Sequence, residues 1–170
     1  MALLEIVTLP QPVLRRKAHK VTEFSSELQT LIDDMIDTMR EAPGVGLAAP
    51  QVNVSQRLIV VEYGNDEDET APRKLYVLAN PEIVRYSTDT EIGSEGCLSI
   101  PGMAGEVERP LAVVVKGMNR HGKPVKIKAS GWLARIFQHE IDHLDGVLFV
   151  DRATKVWRIE ERPEQVVPLD

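Results

Sequence analysis

Two histidines and a glutamate in the C-terminal third of the chain have the spacing of a hydrolytic metal site. His139, Glu140 and His143 form a His-Glu-x-x-His sequence. On a helix the two imidazoles would lie on one face, where both can reach one ion. Glu140 would lie one step further round, where its carboxylate can exchange protons with a water that the ion activates. The pattern predicts metal-assisted hydrolysis on a helix over residues 131–143.

The surrounding periodicity places these three residues within or beside the buried side of that helix. At about 100° per residue, apolar side chains mark one broad face: Trp132, Leu133, Ile136, Phe137, Ile141 and Leu144. Polar residues are predicted to point the other way, namely Arg135, Gln138, Asp142 and Asp145. Burial of an unpaired carboxylate and two imidazoles would cost several kcal/mol. A bound metal therefore explains the pattern better than an ordinary amphipathic helix.

The candidate third ligand is Cys97, the one cysteine of the chain. It lies upstream of the helix in residues 95–99, Glu-Gly-Cys-Leu-Ser, which we interpret as a loop. Two histidines leave a tetrahedral ion short of protein ligands, and a thiolate is a chemically suitable addition. A single cysteine also excludes a disulfide framework within the chain.

Two other classes of protein share parts of this pattern. Zincin-type metalloproteases carry His-Glu-x-x-His, but they usually complete the site with a downstream carboxylate or histidine, whereas the candidate here is an upstream cysteine. A structural zinc site without turnover would need a fourth protein ligand. His19 and His121 are available for that role, although neither lies in a motif with ligand spacing.

A third unusual segment is residues 44–51, Gly-Val-Gly-Leu-Ala-Ala-Pro-Gln. Glycines among small residues let the backbone come close to a ligand or to a packed strand. No Gly-Lys-Ser/Thr follows, so the segment is not a phosphate-binding loop. Gln51 offers an amide donor directly after this tight stretch.

With these three segments in order, the chain resembles peptide deformylase, the enzyme that removes the formyl group from N-formylmethionyl nascent chains. The resemblance rests on residues 44–51, 95–99 and 138–143 (Gln-His-Glu-Ile-Asp-His), and it runs through nearly the whole sequence. It implies three metal ligands: Cys97, His139 and His143. It also implies Glu140 as general acid and base, and the Gln51 amide with the backbone N–H of Leu98 as the pair that stabilises the oxyanion.

The resemblance also implies the cofactor and partners. The resemblance implies one divalent ion as cofactor, Fe²⁺ before Zn²⁺ or Ni²⁺. The ligand types themselves do not fix the metal, because thiolate and imidazole suit several of these ions. The expected partners are N-formylmethionyl nascent peptides and the ribosome exit region. The methionine side chain needs an apolar pocket, and the candidate substrate-binding residues are Val45, Gly46, Gly96, Trp132 and Ile136.

One departure from the family concerns an arginine. Many members carry it shortly after the Ser-x-Pro-Gly that follows the cysteine motif, whereas residues 101–105 here read Pro-Gly-Met-Ala-Gly. The next arginine is Arg109. The substrate-backbone contact attributed to the earlier arginine is therefore not carried over to this chain.

Length and composition indicate one globular domain, in a chain of 19.0 kDa with 43% hydrophobic residues. The resemblance implies that residues 1–170 form a single catalytic domain. The net charge of −6 argues against direct sequence-specific nucleic-acid binding, although it leaves a local basic patch possible. We find no secretory signal, transit peptide or membrane span. We therefore expect a cytoplasmic protein that does not bind membranes.

The order of the predicted elements favours an α+β fold over a parallel α/β sheet. An amphipathic helix is expected over residues 28–39, capped by Ser25 or Ser26 and stopped by residues 43–44. Strands are expected at residues 58–61, 74–79, 83–86, 111–115 and 125–128, with an acidic loop at 64–70. Residues 155–159 could form a terminal strand or a short helix, and their β-branched and aromatic residues favour the strand. We expect small antiparallel sheets packed around the central helix that carries the His-Glu-x-x-His sequence.

Overall fold

A computed structural model describes residues 2–68 and 70–159. Glu69 of the predicted acidic loop and residues 160–170 lie outside the described residues. The helices are α1 (Ser26–Glu41), α2 (Gly131–Leu144) and α3 (Phe149–Arg152). The strands are β1 (Gly46–Ala48), β2 (Leu58–Tyr63), β3 (Lys74–Tyr86), β4 (Thr90–Cys97), β5 (Ile100–Pro110), β6 (Ala112–Met118), β7 (Pro124–Ser130) and β8 (Lys155–Arg158). The expected α+β class is confirmed. In the described part of the chain, no helix is both long enough and apolar enough to span a bilayer.

The predicted N-terminal amphipathic helix is α1. Ser25 caps it, because its hydroxyl accepts the backbone N–H of Leu28 at 3.2 Å. Ile32, Met35 and Met39, which recur at helical spacing along α1, are buried. They pack against one face of the larger sheet and so form one of the hydrophobic clusters of the core.

The larger sheet has five antiparallel strands in the order β1-β2-β3-β6-β7. Successive residues of β2 point to opposite faces, as period-2 geometry requires. Leu58 and Val60 belong to the cluster with α1, whereas Ile59 and Val61 belong to the cluster with α2. The sheet therefore lies between the two helices, and its α2 face is the one nearest the predicted site.

The prediction of two strands on either side of Asn80 is wrong, because β3 continues through it with a register shift between Ala79 and Glu82. Asn80 has a φ of 51°, in the left-handed region. Its side chain accepts the backbone N–H of Val21 at 2.8 Å and donates to the carbonyl of Val21 at 3.0 Å. These bonds hold the irregular residue in place, so the chain resumes the strand after it.

The second sheet has three strands in the order β4-β5-β8. Our interpretation of residues 95–99 as a loop is wrong in part, because β4 runs through Cys97 and only a tight turn follows before β5. Glycine and charged residues obscure the period-2 pattern of β4 and β5, since strands rich in these residues lack the usual composition. The predicted terminal strand is confirmed as β8, which pairs with β5.

Helix α2 lies between the two sheets and contacts strands of both. The prediction that Arg135 and Gln138 face solvent is therefore wrong, since both are buried. Arg135 donates to the backbone carbonyl of Val107 at 2.9 Å, and Gln138 donates to that of Pro110 at 3.0 Å. The second sheet covers the side of the helix that its own periodicity marks as polar.

We predict that Asn80→Ala lowers the free energy of unfolding by about 2–3 kcal/mol, from two lost hydrogen bonds and a left-handed backbone without its compensating side chain. Asn53→Ala is the matched control. Asn53 is exposed and has a φ of 65°. Asn53→Ala should therefore lower the free energy of unfolding only by the cost of placing alanine in the left-handed region, about 1 kcal/mol. Urea unfolding of both variants measures the difference. Equal losses would show that the bonds to Val21 contribute nothing.

Candidate metal centre

Three potential ligands converge at the C-terminal half of α2. Cys97, His139 and His143 are buried, and each offers a ligand atom within 4.8 Å of the others. The Sγ of Cys97 lies 3.4 Å from Nε2 of His143. Zinc-like bond lengths in a tetrahedral site put sulfur and nitrogen about 3.5 Å apart. The donor set and this separation both fit one divalent ion.

Glu95 sets the orientation of the His139 ring. Its Oε1 lies 3.0 Å from Nδ1 of His139, and both groups are buried. An imidazole that donates its Nδ1–H to a carboxylate presents the Nε2 lone pair on the far side of the ring. Glu95 and Cys97 are two residues apart on β4, so both side chains point to the face that α2 covers.

Glu95 also lies between two buried arginines. Arg109 donates to it from Nε at 2.5 Å and from Nη2 at 2.8 Å, and Arg135 donates from Nη1 at 2.6 Å. Burial alone would raise the pKa of Glu95, but the hydrogen bonds from Arg109 and His139 outweigh it and hold the pKa well below its usual range. The carboxylate is therefore ionised when His139 donates to it.

The arginine cluster continues to the surface through Asp142, one residue before His143. Arg109 donates to Asp142 at 3.0 Å, and Arg152 donates to the same carboxylate at 2.6 Å. Arg109 is only 3% exposed and is fully engaged with carboxylates. Its guanidinium is therefore already hydrogen-bonded within the protein, to Glu95 and Asp142.

Glu140 is completely buried and lies against β1. A Cβ added to Gly46 would come within 2.5 Å of Glu140 Oε2, so a side chain there would displace the carboxylate. Gly46, in the segment of residues 44–51, therefore leaves the space that the Glu140 carboxylate occupies. This close approach, rather than left-handed backbone, is the reason for glycine at this position.

Gln51 faces the same centre from the 3-10 helix Ala49–Val52 that follows β1. Its Oε1 accepts the backbone N–H of Ala48 at 3.0 Å. Its Nε2 lies 3.3 Å from Ser99 Oγ and 3.6 Å from Cys97 Sγ. Because Ala48 engages the oxygen, the amide N–H group is the one directed at the centre. Leu98 follows the candidate ligand in the turn between β4 and β5.

A groove of about 790 Å³ runs beside the N-terminal part of α2, and Val45 and Trp132 line it. Asp66 of the loop after β2 lies at one wall, where its carboxylate accepts the backbone N–H of Trp132 at 3.0 Å. Ile136 is completely buried in the core and does not line this groove. Its predicted contact with substrate stays a prediction.

The candidate fourth ligands of a closed structural site are elsewhere. His19 and His121 are exposed, and His121 lies in the turn between β6 and β7. Among residues 2–68 and 70–159, the group that could hold an ion contains two histidines and one cysteine. The described residues therefore favour an open site, of the kind that catalytic metals use.

The structure brings most of the predicted site residues together. Cys97, the two α2 histidines and Gln51 converge at one centre. Glu140 lies against Gly46 of β1, and Gly96 is next to Cys97 on β4. Glu95, Arg109 and Arg135 have no role that the sequence alone predicts. The two-residue spacing of Glu95 and Cys97 was the available signal, and the assumption of a loop concealed it.

The comparisons with known proteins agree with this geometry. A family model described as polypeptide deformylase matches residues 3–158. A peptide deformylase of Natranaerobius thermophilus is 52% identical over 161 residues, covering 95% of this chain and 99% of the relative. The solved peptide deformylase of Thermotoga maritima has a TM-score of 0.84 and 42% identity, covering 91% of this chain and 99% of that one. A class I type b peptide deformylase of Acinetobacter baumannii with Met-Ala-Ser bound has a TM-score of 0.82 and 41% identity, covering 89% and 98% respectively.

A helix with two imidazoles and a carboxylate, held between antiparallel sheets beside a thiolate, defines a metal-dependent hydrolase of the α+β class. The matches identify which hydrolase. The chain belongs to the polypeptide deformylase family, whose enzymes remove the N-formyl group from nascent polypeptides. The function and the enzyme class that the sequence predicts are confirmed.

We predict that Glu95→Gln weakens both metal binding and folding. The variant leaves two buried arginines short of a counter-charge, which costs about 3–5 kcal/mol, and it loosens His139, which lowers metal affinity about 10–100-fold. Urea unfolding and chelator competition measure the two effects. Glu108→Gln, an exposed change on β5, is the control and should stay within about 0.5 kcal/mol of the parent. A Glu95 variant with parental metal affinity would contradict the orienting role.

The pH dependence of the same effect has a definite sign. The folded-state pKa of Glu95 is depressed, so its stabilising contribution is present at neutral pH and is lost as pH falls through and below the ordinary glutamate range towards the folded pKa. In metal-free protein, the stability difference between parent and Glu95→Gln should shrink between about pH 7 and about pH 3. A difference that is constant with pH would exclude ionised Glu95 as its source.

Proposed function

We propose that this chain hydrolyses the N-formyl group of N-formylmethionyl peptides with one divalent ion held by Cys97, His139 and His143. The observation that carries the proposal is the convergence of these ligand atoms within 4.8 Å. It occurs in a chain that the deformylase family model matches over residues 3–158. The third ligand comes from a strand upstream of the helix, and this arrangement differs from that of zincin proteases.

The chain's own residues would perform the proton transfers. When bound, a divalent ion would lower the pKa of a water and polarise the formyl oxygen. Glu140 would accept the proton of the attacking water and deliver it to the departing amine. Its burial favours this role, because a carboxylate shielded from solvent exchanges protons with the reacting groups rather than with bulk water.

Gln51 and Leu98 are the proposed donors to the negative charge that develops on the formyl oxygen. The bond from Ala48 fixes the Gln51 amide with its N–H towards Cys97. The backbone of Leu98 directly follows the same cysteine. A preorganised donor of this kind typically contributes about 3 kcal/mol to lowering the barrier.

The peptide would bind as an extended strand. β1 and β4 are the outer strands of their sheets, and the two strands carry Gly46 and Gly96. Unpaired strand edges accept an added strand through backbone hydrogen bonds. The groove beside Val45 and Trp132 would receive the methionine side chain. The related Acinetobacter baumannii enzyme, solved with Met-Ala-Ser bound, supports a peptide of this type.

The working ion is proposed to be Fe²⁺, with Zn²⁺ and Ni²⁺ as weaker alternatives. A thiolate with two imidazoles binds any of these metals, so the ligand set does not select among them, and the choice rests on family resemblance. The proposed setting is the cytoplasm at the ribosome exit region, where residues 1–170 act as one catalytic domain. We propose no sequence-specific nucleic-acid binding.

We predict that substitutions at the centre separate catalysis from ligation. Glu140→Gln keeps all three ligands, so metal should stay bound while the turnover of formyl-Met-Ala-Ser falls by roughly 10²–10⁴-fold. Cys97→Ala removes a ligand, so both metal and turnover should be lost. Metal analysis alongside the formate-release assay distinguishes the two cases. A Cys97→Ala enzyme with stoichiometric metal and full turnover would overturn the proposed site.

We predict that the metal decides the sensitivity to air. An Fe²⁺ form should lose activity on aeration, because the ion and the thiolate of Cys97 are both open to oxidation. A Zn²⁺ form should keep its activity, since zinc has no redox chemistry. Turnover over time and mass spectrometry of Cys97 follow the loss, and catalase should slow it. An iron form that survives prolonged aeration with unmodified Cys97 would contradict Fe²⁺ as the air-sensitive component.

A further inference from the structure

Helix α2 begins at a point where its own segment supplies no capping side chain. Within the described residues, Ser130 precedes the helix in an extended conformation without a side-chain bond to it, and the first turn contains no acidic residue. The N–H groups at a helix start therefore need partners from elsewhere. The N–H of Gly131 donates to the carbonyl of Leu111 at 2.8 Å. The N–H of Trp132 donates to the carboxylate of Asp66 at 3.0 Å, so the loop after β2 caps the helix.

The carboxylate of Asp66 is fitted to this place. One oxygen, Oδ2, accepts the N–H of Trp132, and the other, Oδ1, accepts the hydroxyl of Tyr63 at 2.6 Å. Gly131 has a φ of 64°, and a Cβ on it would clash with Oδ2 of Asp66. Glycine at residue 131 therefore leaves the space that the carboxylate fills. Because each oxygen has its own donor, Asp66 joins the end of β2 to the start of α2.

The indole of Trp132 is held on a second side by Arg135, one turn further along α2. The guanidinium carbon of Arg135 lies 5.9 Å from the centroid of the indole, within the range of a cation–π contact. Arg135 is fixed in turn, because it donates to Glu95 at 2.6 Å and lies where a Cβ on Gly93 would be 2.9 Å from its guanidinium carbon. Trp132 is thus fixed at its backbone by Asp66 and at its ring by Arg135.

The same residues form a wall of the candidate methionine pocket. Val45, Tyr63, Asp66 and Trp132 line the groove of about 790 Å³ beside α2. The side chains of Val45, Tyr63 and Trp132 also pack against the core cluster that contains residues of α2, so this wall is continuous with the core. An indole offers a large apolar contact area, which makes its position decisive for the shape of a pocket. The part of the groove that would select a side chain is therefore the wall that Asp66 and Arg135 hold.

We propose that Asp66 is a positioning residue that sets the selectivity for methionine, acting through Trp132. The inference rests on the proposed function, because it takes the groove as the pocket for the methionine side chain. Loss of the hydrogen bond would let the first turn of α2 and the indole shift, and a shift of about 1 Å is enough to weaken a fitted contact. A direct contact between Asp66 and the peptide is not required, since the effect passes through the backbone of Trp132.

The test compares two peptides that differ in the side chain that enters the pocket, formyl-Met-Ala-Ser and formyl-Ala-Ala-Ser. Asp66→Ala removes the acceptor, and Asp66→Asn removes the charge but keeps one acceptor oxygen. Glu67→Ala is the matched control, because it removes an equal charge from the same loop at an exposed residue outside the groove. Binding of the product peptides Met-Ala-Ser and Ala-Ala-Ser to the zinc-loaded protein is measured by calorimetry, which needs no turnover.

Asp66→Ala should raise the KM for formyl-Met-Ala-Ser by about 5–10-fold, as expected from one lost hydrogen bond at the pocket wall, with kcat nearly unchanged. Its kcat/KM for formyl-Ala-Ala-Ser should stay within about 2-fold of the parent, because an alanine side chain is too short to depend on the indole. Asp66→Asn should restore most of the selectivity, since its amide oxygen can still accept the N–H of Trp132. Glu67→Ala should match the parent on both peptides, and the product peptides should show the same pattern in their affinities.

A merely structural cap would weaken the action on both peptides equally in Asp66→Ala, and that result would overturn the proposal. Parental selectivity in Asp66→Ala would overturn it too, as would an equal effect of Glu67→Ala or an Asp66→Asn variant as impaired as Asp66→Ala. A parent protein that binds Met-Ala-Ser no more tightly than Ala-Ala-Ser would show that the groove is not the pocket, which also overturns it. Absence of formate release by the parent would contradict the proposed function, whereas product binding would still decide the role of Asp66.

Discussion

The rest of the molecule depends on the hydrogen bonds of one buried carboxylate, that of Glu95, with two guanidinium groups and one imidazole. Glu95 comes from β4, Arg109 from β5, and Arg135 and His139 from α2, so a single charge ties the smaller sheet to the helix. Removing Glu95 or either arginine leaves an uncompensated buried charge, which costs more than the intact group contributes. The geometry at Nε2 of His139 is thus set by packing throughout this half of the fold.

The same arrangement explains why the helix can carry its polar residues inside. Helix α2 meets the five-stranded sheet with an apolar stripe and the three-stranded sheet with Arg135 and Gln138. Hydrogen bonding satisfies polar groups on the second side, so burial there does not incur the full desolvation cost. The centre lies where the two kinds of packing meet: Glu140 against Gly46 of one sheet, and Cys97 on the other.

Local sequence spacing was enough to predict α1, α2, most strands and the pairing of His139 with His143, because each depends on residues near one another in the chain. Cys97 is distant in sequence, and its place in the predicted ligand set came from the family resemblance. The polar side of α2 was misjudged, since the sheet that buries Arg135 comes from distant residues whose strand character the sequence conceals. The sequence predicts a break in β3 at Asn80, because the hydrogen bonds that hold this residue in the strand come from the backbone of Val21, far upstream. Glu95 lay inside a recognised motif, yet its role needed Arg109 and His139 to be placed around it.

The direction of α2 has an electrostatic consequence. The helix starts beside the groove, where Asp66 accepts the N–H of Trp132, and His143 lies in its last turn. Its macrodipole puts partial positive charge at the end next to Asp66 and partial negative charge at the end that holds the ligands. Such a pole typically stabilises a nearby cation by about 0.3–1 kcal/mol. Part of the attraction for a metal ion thus comes from aligned peptide groups, and every side-chain variant that keeps the helix retains it.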